Sequence, residues 1–320
     1  MKFDKKTTIY DVAEMAKVSL ATVSRVLNTP EKVRPDTVKK VEQAISKLNY
    51  HPDEIARGLV TKKSTTIGIL FPSATNPFFS ELMHGINDVS QIFDYNIFFA
   101  STDENFGLSS IELVEKLLTR KIDGLILSAD QFNNQLKKII ENADVPYVIL
   151  SGLIDNKSKI HQVSIDIISA LTEAVNYLDD YQVAFLDYRS EEKDHQKIAE
   201  AFTGSTINLL QTGTFQAGYD AFESVKEYDA VIASNDQIAA GLLASALDHK
   251  IKVPNNFQII SLQDSEFSTM IRPQISSISF SKYDIGAISM RMLTKLMNNE
   301  QLDSNQIVIP HQLIQRGTTK

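Results

Sequence analysis

The pattern of apolar and polar positions over residues 9–50 predicts three short helices. Apolar residues recur at intervals of three and four, the spacing that brings side chains to one face of a helix. The first helix covers 10–16, the second covers 20–28 with Ser19 as its N-cap, and the third begins at Pro35. The apolar residues expected to face inward are Val12, Ala16, Val23, Val26, Leu27, Val38, Val41, Ile45 and Leu48.

The second predicted helix presents a small, polar and cationic face to the solvent. Two helices joined by a three- or four-residue turn form a helix-turn-helix, whose second helix enters the major groove of DNA. Arg25 and Asn28 carry hydrogen-bonding groups that suit guanine and adenine edges. On the helix pattern alone, an ordinary three-helix bundle with a solvated face is equally acceptable. The outward residues are Ala21, Thr22, Ser24, Arg25 and Asn28.

From residue 66 onward, short β-branched runs alternate with helical stretches, which is typical of an α/β fold with parallel sheets. The natural arrangement is two doubly wound lobes with a cleft between them. Ligands of such sheets bind at the carboxyl ends of the strands. The predicted strands are 67–71, 97–100, 125–128 and 147–150 in a first half, and 183–186, 230–233 and 259–262 in a second half.

Three loops at the ends of these strands supply candidate ligands for a small effector in the cleft. They are Asn76 in the loop 73–76, Asp236 after Ser234 and Asn235, and Asp264 after Gln263. Asp236 has a second interpretation as the N-cap of the helix that follows it.

The charge of the chain is divided unevenly along its length. The 320 residues carry a formal net charge of −8, which by itself argues against nucleic acid as a partner. Residues 1–63, however, hold 13 Lys and Arg against 8 Asp and Glu, which is +5, so the remainder carries −13. The sequence is therefore a small basic head attached to a large acidic body, and its length allows each to have its own core.

Composition and motifs exclude several classes of protein. The absence of cysteine excludes disulfides, zinc–thiolate sites and thiol nucleophiles. The residues at the N-terminus lack the apolar stretch of a secretory signal, and no apolar run approaches the length of a membrane span, so we expect a cytoplasmic protein without a membrane partner. The six histidines are scattered, and no zinc-protease, nucleophile-elbow or dinucleotide motif occurs. No catalytic, metal or cofactor site is expected.

The string T-I-Y-D-V-A-E-M-A-K-V-S-L-A-T-V-S-R-V-L-N over 8–28 resembles the DNA-binding headpiece of the lactose-repressor (LacI/GalR) family. The string N-Y-H-P-D-E-I-A-R-G-L over 49–59 resembles the same family. The resemblance implies that Leu20 and Ala21 open the recognition helix and face the bases. It also implies DNA contacts from Tyr10, Ser19, Thr22, Ser24, Arg25, Asn28, Tyr50, His51, Ala56 and Leu59.

The resemblance implies three regions: a helix-turn-helix headpiece over 1–52, a hinge helix and linker over 53–65, and a body over 66–320. The body is expected to resemble a two-lobed periplasmic sugar-binding protein of doubly wound parallel sheets, which binds effectors or corepressors and dimerises. The hinge is too short to be a stable helix alone. In the family it folds when two chains meet over DNA, and a leucine matching Leu59 wedges into the minor groove. Asp53 and Glu54 depart from the pattern and would repel phosphates.

Two further features concern the effector. The family's R-x-x-G-[FW] arginine is missing, because residues 198–202 read I-A-E-A-F. The string Y-D-I-G-A-I-S-M-R-M-L-T-K-L-M-N over 283–298 and the ending P-H-Q-L-I-Q-R-G-T-T-K resemble a catabolite-control branch of the family. The corepressor of that branch is the seryl-phosphorylated phosphocarrier protein HPr. The implied docking residues are Tyr283, Asp284, Arg291 and Lys295.

The spacing of the docking residues agrees with this role. Asp284, Arg291 and Lys295 are separated by seven and four residues, so they share one helix face, and arginine suits a bidentate clamp on phosphate. An exposed charged face on an amphipathic helix is the plainer interpretation. Gln312 stands where relatives carry a basic residue after Pro-His, which removes one phosphate partner.

The sequence therefore predicts a homodimeric repressor that reads a pseudo-palindromic operator and serves carbon catabolite control with phosphorylated HPr as corepressor. Two alternatives stay open. One is a repressor that responds to a sugar or sugar phosphate independently of HPr. The other is a small-molecule sensor with weakened DNA binding.

Overall fold

The computed structural model describes residues 7–50, 64–72, 77–102, 107–151, 160–188, 206–209 and 212–320. Contacts divide the chain into two compact units, Met1–Ser64 and Thr65–Lys320, called here the head and the body. Several predicted features lie outside the described residues: His51, Ala56, Leu59, Asn76, the hinge over 53–63 and the stretch 198–202.

The head contains the three predicted helices: α1 over Ile9–Ala16, α2 over Leu20–Asn28 and α3 over Pro35–Leu48. The Asp11 carboxylate accepts from the backbone N–H and the hydroxyl of Thr8, which fixes the start of α1. Lys17 adopts the left-handed conformation that ends α1 and opens the turn into α2. Val12, Val23 and Val41 are fully buried where the three helices meet, as predicted.

The body contains two six-stranded sheets, in agreement with the predicted α/β class. In the first lobe, the strands are β1 Thr66–Phe71, β2 Asn96–Ser101, β3 Gly124–Ser128, β4 Tyr147–Ser151, β5 Gln162–Ile165 and β11 Gln306–Ile309. In the second lobe, they are β6 Val183–Asp187, β7 Thr206–Leu209, β8 Ala230–Ala233, β9 Gln258–Ser261, β10 Ser276–Phe280 and β12 His311–Ile314.

The strand orders are β11-β5-β4-β3-β1-β2 and β12-β10-β9-β8-β6-β7. The pairs of the first sheet are parallel, and in the second sheet β12 runs antiparallel to β10. The helices that cover the sheets are α4 Pro77–Ile92, α5 Ser110–Thr119, α6 Asn134–Asn142, α7 Ile167–Tyr177, α8 Phe215–Asp220, α9 Phe222–Val225, α10 Asp236–Asp248, α11 Glu266–Met270 and α12 Lys282–Met297. Among the described residues, no helix is long and apolar enough to cross a membrane.

Within the described residues, the chain passes between the lobes at three places. β5 belongs to the first sheet, but α7, which follows it, packs in the second lobe. β10 belongs to the second sheet, but α12 buries Ile285, Met290 and Leu293 in the first lobe. β11 and β12 then pair with different sheets although Pro310 alone separates them. The two lobes are therefore joined by short connections.

Helix α12 lies directly on α4 because two glycines face each other at the crossing. A Cβ atom on Gly286 would overlap the backbone oxygen of Leu82, and one on Gly85 would overlap the backbone oxygen of Tyr283. The second lobe repeats this device, since Gly218 of α8 and Gly241 of α10 also face backbone atoms of the opposite helix. In both lobes the helix backbones approach more closely than side chains would allow.

The end of the chain is built into the second lobe. The Thr318 hydroxyl donates to the backbone oxygen of Ile259 at 2.7 Å and accepts from the backbone N–H of Ser276 at 2.8 Å. The Arg316 guanidinium donates to the backbone oxygen of Ile275 at 2.7 Å. The tail thus joins β9 to β10 through side-chain hydrogen bonds.

The glycine contact between α4 and α12 predicts a specific cost of substitution. Gly286→Ala places a methyl group where the backbone oxygen of Leu82 lies, so α12 must move away from α4. We expect the free energy of unfolding to fall by an amount at the upper end of the roughly 1–3 kcal/mol typical of overpacking. Urea unfolding followed by circular dichroism measures this loss.

Gly68→Ala is the matched control, because its methyl group would meet side-chain ends of Ile122 and Leu117 that can shift. We expect a smaller loss there. Equal losses in the two variants would contradict the contact between the two backbones.

Candidate functional site

The outward face of α2 is the first candidate site. Val23 and Val26 are buried on the inner side of the helix, whereas Ala21 and Arg25 are exposed and Leu20 is 37% exposed. This orientation arises from the helical spacing of the two valines, which turns the intervening residues toward the solvent. The exposed surface at the start of α2 therefore combines small side chains with the Arg25 guanidinium.

Ser19 determines where α2 begins. Its hydroxyl accepts from the backbone N–H of Thr22 at 3.2 Å, and the Ser19 and Thr22 hydroxyls lie 2.9 Å apart. Such a cap satisfies one of the four N–H groups that the first turn leaves unpaired. The remaining N–H groups and the positive end of the helix dipole suit a phosphate at this position.

The other predicted DNA contacts in the head occupy different environments. Tyr10 of α1 is 68% exposed, Ser24 is half-buried, and Asn28 is the last residue of α2. Tyr50 differs from them, because it is 9% exposed and packs in the core of the head. The structure therefore gives Tyr50 a packing role, and its contact with DNA stays a prediction.

The second candidate site is a cavity of about 300 Å³ between the lobes of the body. Its walls are largely apolar. The stacked rings of Phe71 and Phe78 have their centroids 6.3 Å apart, and the centroid of the Phe280 ring lies 6.1 Å from that of Phe78. Among the described residues that line the cavity, Asp130 is the only charged one. Asn235 and Gln263 contribute amide groups.

Asp236 is turned away from this cavity, which corrects its predicted role as an effector ligand. The carboxylate is 1% exposed and accepts from the Ser261 hydroxyl, the Ser265 backbone N–H and, at 3.3 Å, the Asp264 backbone N–H. The N-cap of α10 is Asn235, whose Oδ1 accepts from the Ile238 N–H at 2.8 Å. Asp236 therefore ties α10 to the loop after β9.

Asp264 is likewise engaged inside the second lobe, so its predicted role as a ligand needs the same correction. Its carboxylate lies 2.6 Å from Arg316 Nη1 and accepts from the Ser268 hydroxyl at 2.9 Å. Burial alone would raise the pKa of Asp264, but hydrogen bonds from Arg316, Ser279 and Ser268 outweigh it and hold the pKa below its usual value. The backbone of Asp264 is left-handed, with φ of 55°.

The third candidate site is the outer surface of α12. Asp284 and Arg291 are exposed and stand about two helical turns apart. Tyr283 is half-exposed, and its hydroxyl donates to Asp88 of α4 at 3.1 Å, a bond that raises the pKa of the phenol. Lys295 lies 3.5 Å from the exposed carboxylate of Asp303. The four predicted docking residues are thus on one helix, two of them already in contact with neighbours.

Two of the three loops chosen from the sequence border the cavity, but the aspartates chosen in them do not line it. In each loop the residue next to the selected aspartate lines the cavity: Asn235 beside Asp236 and Gln263 beside Asp264. The missed signal in the first loop is that asparagine is as good an N-cap as aspartate. The aromatic wall was also missed, although Phe71 and Phe280 stand at the carboxyl ends of β1 and β10.

Two family models match the chain. The model of bacterial regulatory proteins of the lacI family matches residues 8–53, and the model of a periplasmic binding protein-like domain matches residues 169–319. The first match covers the helices of the head, and the second covers most of the second lobe together with α12.

Curated relatives cover nearly the whole length. Catabolite control protein A of Staphylococcus aureus (strain Mu50 / ATCC 700699) is 36% identical over 98% of this chain and 99% of its own length. The same protein of Staphylococcus xylosus is 35% identical with the same coverage.

Solved structures agree with these relatives. Transcription regulator CcpA of Lactococcus lactis has a TM-score of 0.72 and 26% identity over 80% of this chain and 99% of its own. The lac repressor dimer bound to operator and the anti-inducer ONPF has a TM-score of 0.86 over 98% of this chain and 99% of its own, and its 23% identity supports the fold alone. The chain therefore belongs to the lacI family of bacterial regulatory proteins: it is a DNA-binding transcription regulator similar to catabolite control protein A, and not an enzyme.

Proposed function

We propose that this regulator is a homodimeric repressor in carbon catabolite control, which reads a pseudo-palindromic operator and takes seryl-phosphorylated HPr as its corepressor. The observation that carries the proposal is the exposed face of α2 on a basic head, in a chain similar to catabolite control protein A over 98% of its length. Both DNA and the phosphocarrier protein place its action in the cytoplasm.

The proposed contact with DNA uses the surface around the start of α2. Leu20 and Ala21 meet the base edges, where apolar contacts recognise the thymine methyl group. Arg25 donates to a guanine or a phosphate, and Ser19 and Tyr10 position the backbone of the duplex. Because residues 1–63 carry +5, this attraction is salt-dependent. Thr22, Ser24, Asn28, Tyr50, His51, Ala56 and Leu59 are proposed as further contacts on the family resemblance.

A pseudo-palindromic operator requires two heads related by a two-fold axis. An exposed apolar patch at the end of α4 and on the edge strand β2 suits a contact between two copies. Ile92 is 72% exposed, Phe93 and Phe98 are partly exposed, and Arg120 lies over the Phe98 ring at 4.2 Å. Three large apolar side chains are thus exposed within seven residues of the chain, so we propose this patch as part of an isologous dimer interface.

The phosphoserine of HPr is proposed to bind Arg291 on α12 rather than the cleft. Phosphate recognition needs a cation, and arginine forms two parallel hydrogen bonds to phosphate oxygens. Arg291 is exposed and available, whereas the described lining of the cleft contains an aspartate and no cation. Tyr283, Asp284 and Lys295 complete the proposed docking face.

The cleft supports a second candidate function, a repressor that responds to a neutral sugar independently of HPr. Aromatic rings beside amides and a carboxylate suit the apolar face and the hydroxyls of a sugar, as Phe71, Phe78, Asn235 and Asp130 do here. The same lining is unfavourable for a sugar phosphate. The third alternative, a sensor with weakened DNA binding, predicts no specific footprint with any effector.

Arg25 tests the interface with DNA. Arg25→Ala removes a base or phosphate contact, and we expect operator binding to weaken by roughly 1–3 kcal/mol if the contact is to a base. Titration of a labelled operator at fixed salt measures the change. Lys47→Ala is the matched control, because Lys47 is an exposed base at the end of α3 and its loss changes the head charge equally. Equal affinity of the two variants would refute the role of Arg25.

Arg291 tests the corepressor. Calorimetry of the full chain against phosphorylated and unphosphorylated HPr should show binding only with the phosphorylated form. Arg291→Ala should lose about 1.5–3 kcal/mol, the usual contribution of a hydrogen bond to a charged group. Lys116→Ala, an exposed base on α5, should bind like the unchanged chain. Binding that ignores the phosphate, or no binding at all, would reject the corepressor, and calorimetry with glucose would then test the sugar alternative.

Ile92 tests the dimer. Ile92→Glu introduces a carboxylate into the apolar patch, and desolvation of this charge should shift the chain toward a monomer. Sedimentation equilibrium measures the dissociation constant. Val308→Glu is the control, because Val308 is an exposed apolar residue on the edge strand β11 outside the patch. An unchanged dissociation constant for Ile92→Glu would show that the interface lies elsewhere.

A further inference from the structure

Lys282 is a buried lysine at a connection between the two lobes. It is the first residue of α12, where the chain leaves β10 of the second lobe and enters the first lobe. Its side chain is 3% exposed, although lysine is almost never fully buried without a partner. A charge in this position costs free energy unless hydrogen bonds compensate it, so its contacts are informative.

The ammonium group of Lys282 contacts both lobes. Nζ donates to the backbone oxygen of Asp264 in the second lobe at 2.7 Å, and it lies 3.8 Å from Oε2 of Glu81 on α4 of the first lobe. It also lies 5.3 Å from the centre of the Phe280 ring, which lines the cavity. Lys282 therefore joins the loop after β9 to the helix pair α4–α12.

The contact with the Asp264 carbonyl is the stronger of the two. A hydrogen bond from a charged donor is among the stronger ones in proteins, whereas an ion pair with a half-exposed partner at 3.8 Å contributes little. The backbone of Asp264 is itself held firmly. The Asp264 carboxylate pairs with Arg316, and the Asp264 N–H donates to the Asp236 carboxylate. The acceptor of the Lys282 bond is thus part of a rigid network in the second lobe.

We propose that Lys282 is a tether that fixes the angle between the lobes at the entry of α12. The proposed docking face begins at the next residue, Tyr283, and the cavity-lining Gln263 immediately precedes Asp264. A partner on α12 and a ligand in the cleft would therefore act on the same joint, which is the requirement for coupling between two sites. Only this consequence rests on the proposed function; the tether itself stands on the contacts.

The test measures the distance between the lobes in the full chain. The sequence contains no cysteine, so Glu115→Cys on α5 and Glu227→Cys in the second lobe, both exposed, accept spin labels selectively. Labelled chain is diluted with an excess of unlabelled chain, so that pulsed electron resonance reports the distance within one chain. We expect one narrow distribution for the unchanged Lys282.

Lys282→Met keeps the length of the side chain but cannot donate, and we expect the distribution to broaden and shift. Replacement of a buried charge by an apolar residue of similar volume is often neutral for stability, so this variant should fold. Lys282→Gln retains a shorter donor and should give a smaller shift. Glu81→Gln is the matched control and should leave the distribution unchanged. An unchanged distribution in both Lys282 variants, or an equal shift in Glu81→Gln, would overturn the tether.

A functional measurement distinguishes this result from failure of the proposed corepressor. Calorimetry with phosphorylated HPr on Lys282→Met should show weaker binding if the docking face depends on the joint. If HPr fails to bind the unchanged chain while the distance shift persists, the tether stands and the corepressor is wrong. If HPr binds both chains equally and the distance is unchanged, the tether is wrong and the corepressor stands.

Discussion

The direct packing of α12 on α4 is the contact on which the rest of the body depends. Gly85 and Gly286 let the two backbones touch, so α12 is fixed in height and rotation against the first lobe. Its inner face then buries Ile285, Met290 and Leu293, and its outer face presents Arg291 to solvent. Because α12 is also the continuation of β10, its position determines how the two lobes are joined. A helix held only by flexible side chains could shift against the first lobe without moving it, and its position would then not fix that of the second lobe.

In the second lobe, hydrogen bonds to two aspartates fix the loop after β9 in place. Asp236 and Asp264 would be costly in the interior if they lacked donors, and each is surrounded by them. Arg316 from the end of the chain completes this network, so the C-terminal tail is structural. Binding a ligand through either carboxylate would leave buried donors without acceptors. In these two loops it is therefore Asn235 and Gln263, beside the aspartates, that line the cavity.

Sequence reasoning succeeded where periodicity alone decides the structure. The three helices of the head and the apolar strands β1, β3 and β8 follow directly from it. β5, β7, β10, β11 and β12 were missed. β5 and β11 show why, because each is a short strand that begins with a polar residue and part of its pairing is with the other. The pairing runs from Gln162 opposite Gln306 to Ile165 opposite Ile309, and most of the second lobe lies between these two strands in the sequence. No local pattern contains that partnership.

The same distinction explains the errors at single residues. Asp236 was chosen over Asn235 because the expected start of α10 was displaced by one residue, and a helix boundary is the least certain feature of a sequence pattern. Tyr50 was given a DNA contact on the family resemblance alone, and its burial in the core of the head could not be read from its place after α3. Charge patterning identified the exposed base Arg291. It did not identify Lys282, because the contact that matters there is a hydrogen bond to the backbone carbonyl of a residue 18 positions earlier in the chain.

The division of cations between the three sites constrains how signals can reach DNA. A phosphate is attracted to the head and to Arg291, whereas the described cleft lining offers it an aspartate. In the proposed function, a neutral ligand in the cleft and a phosphorylated partner on α12 would therefore not compete for the same charge. They would meet mechanically, at the joint where Lys282 bonds the Asp264 carbonyl. A ligand that favours one lobe angle would raise the affinity for a partner that favours the same angle and lower it for a partner that favours a different one. The effect is reciprocal, so the partner would change the affinity for the ligand by the same factor. A regulator built in this way can combine two signals through one conformational equilibrium.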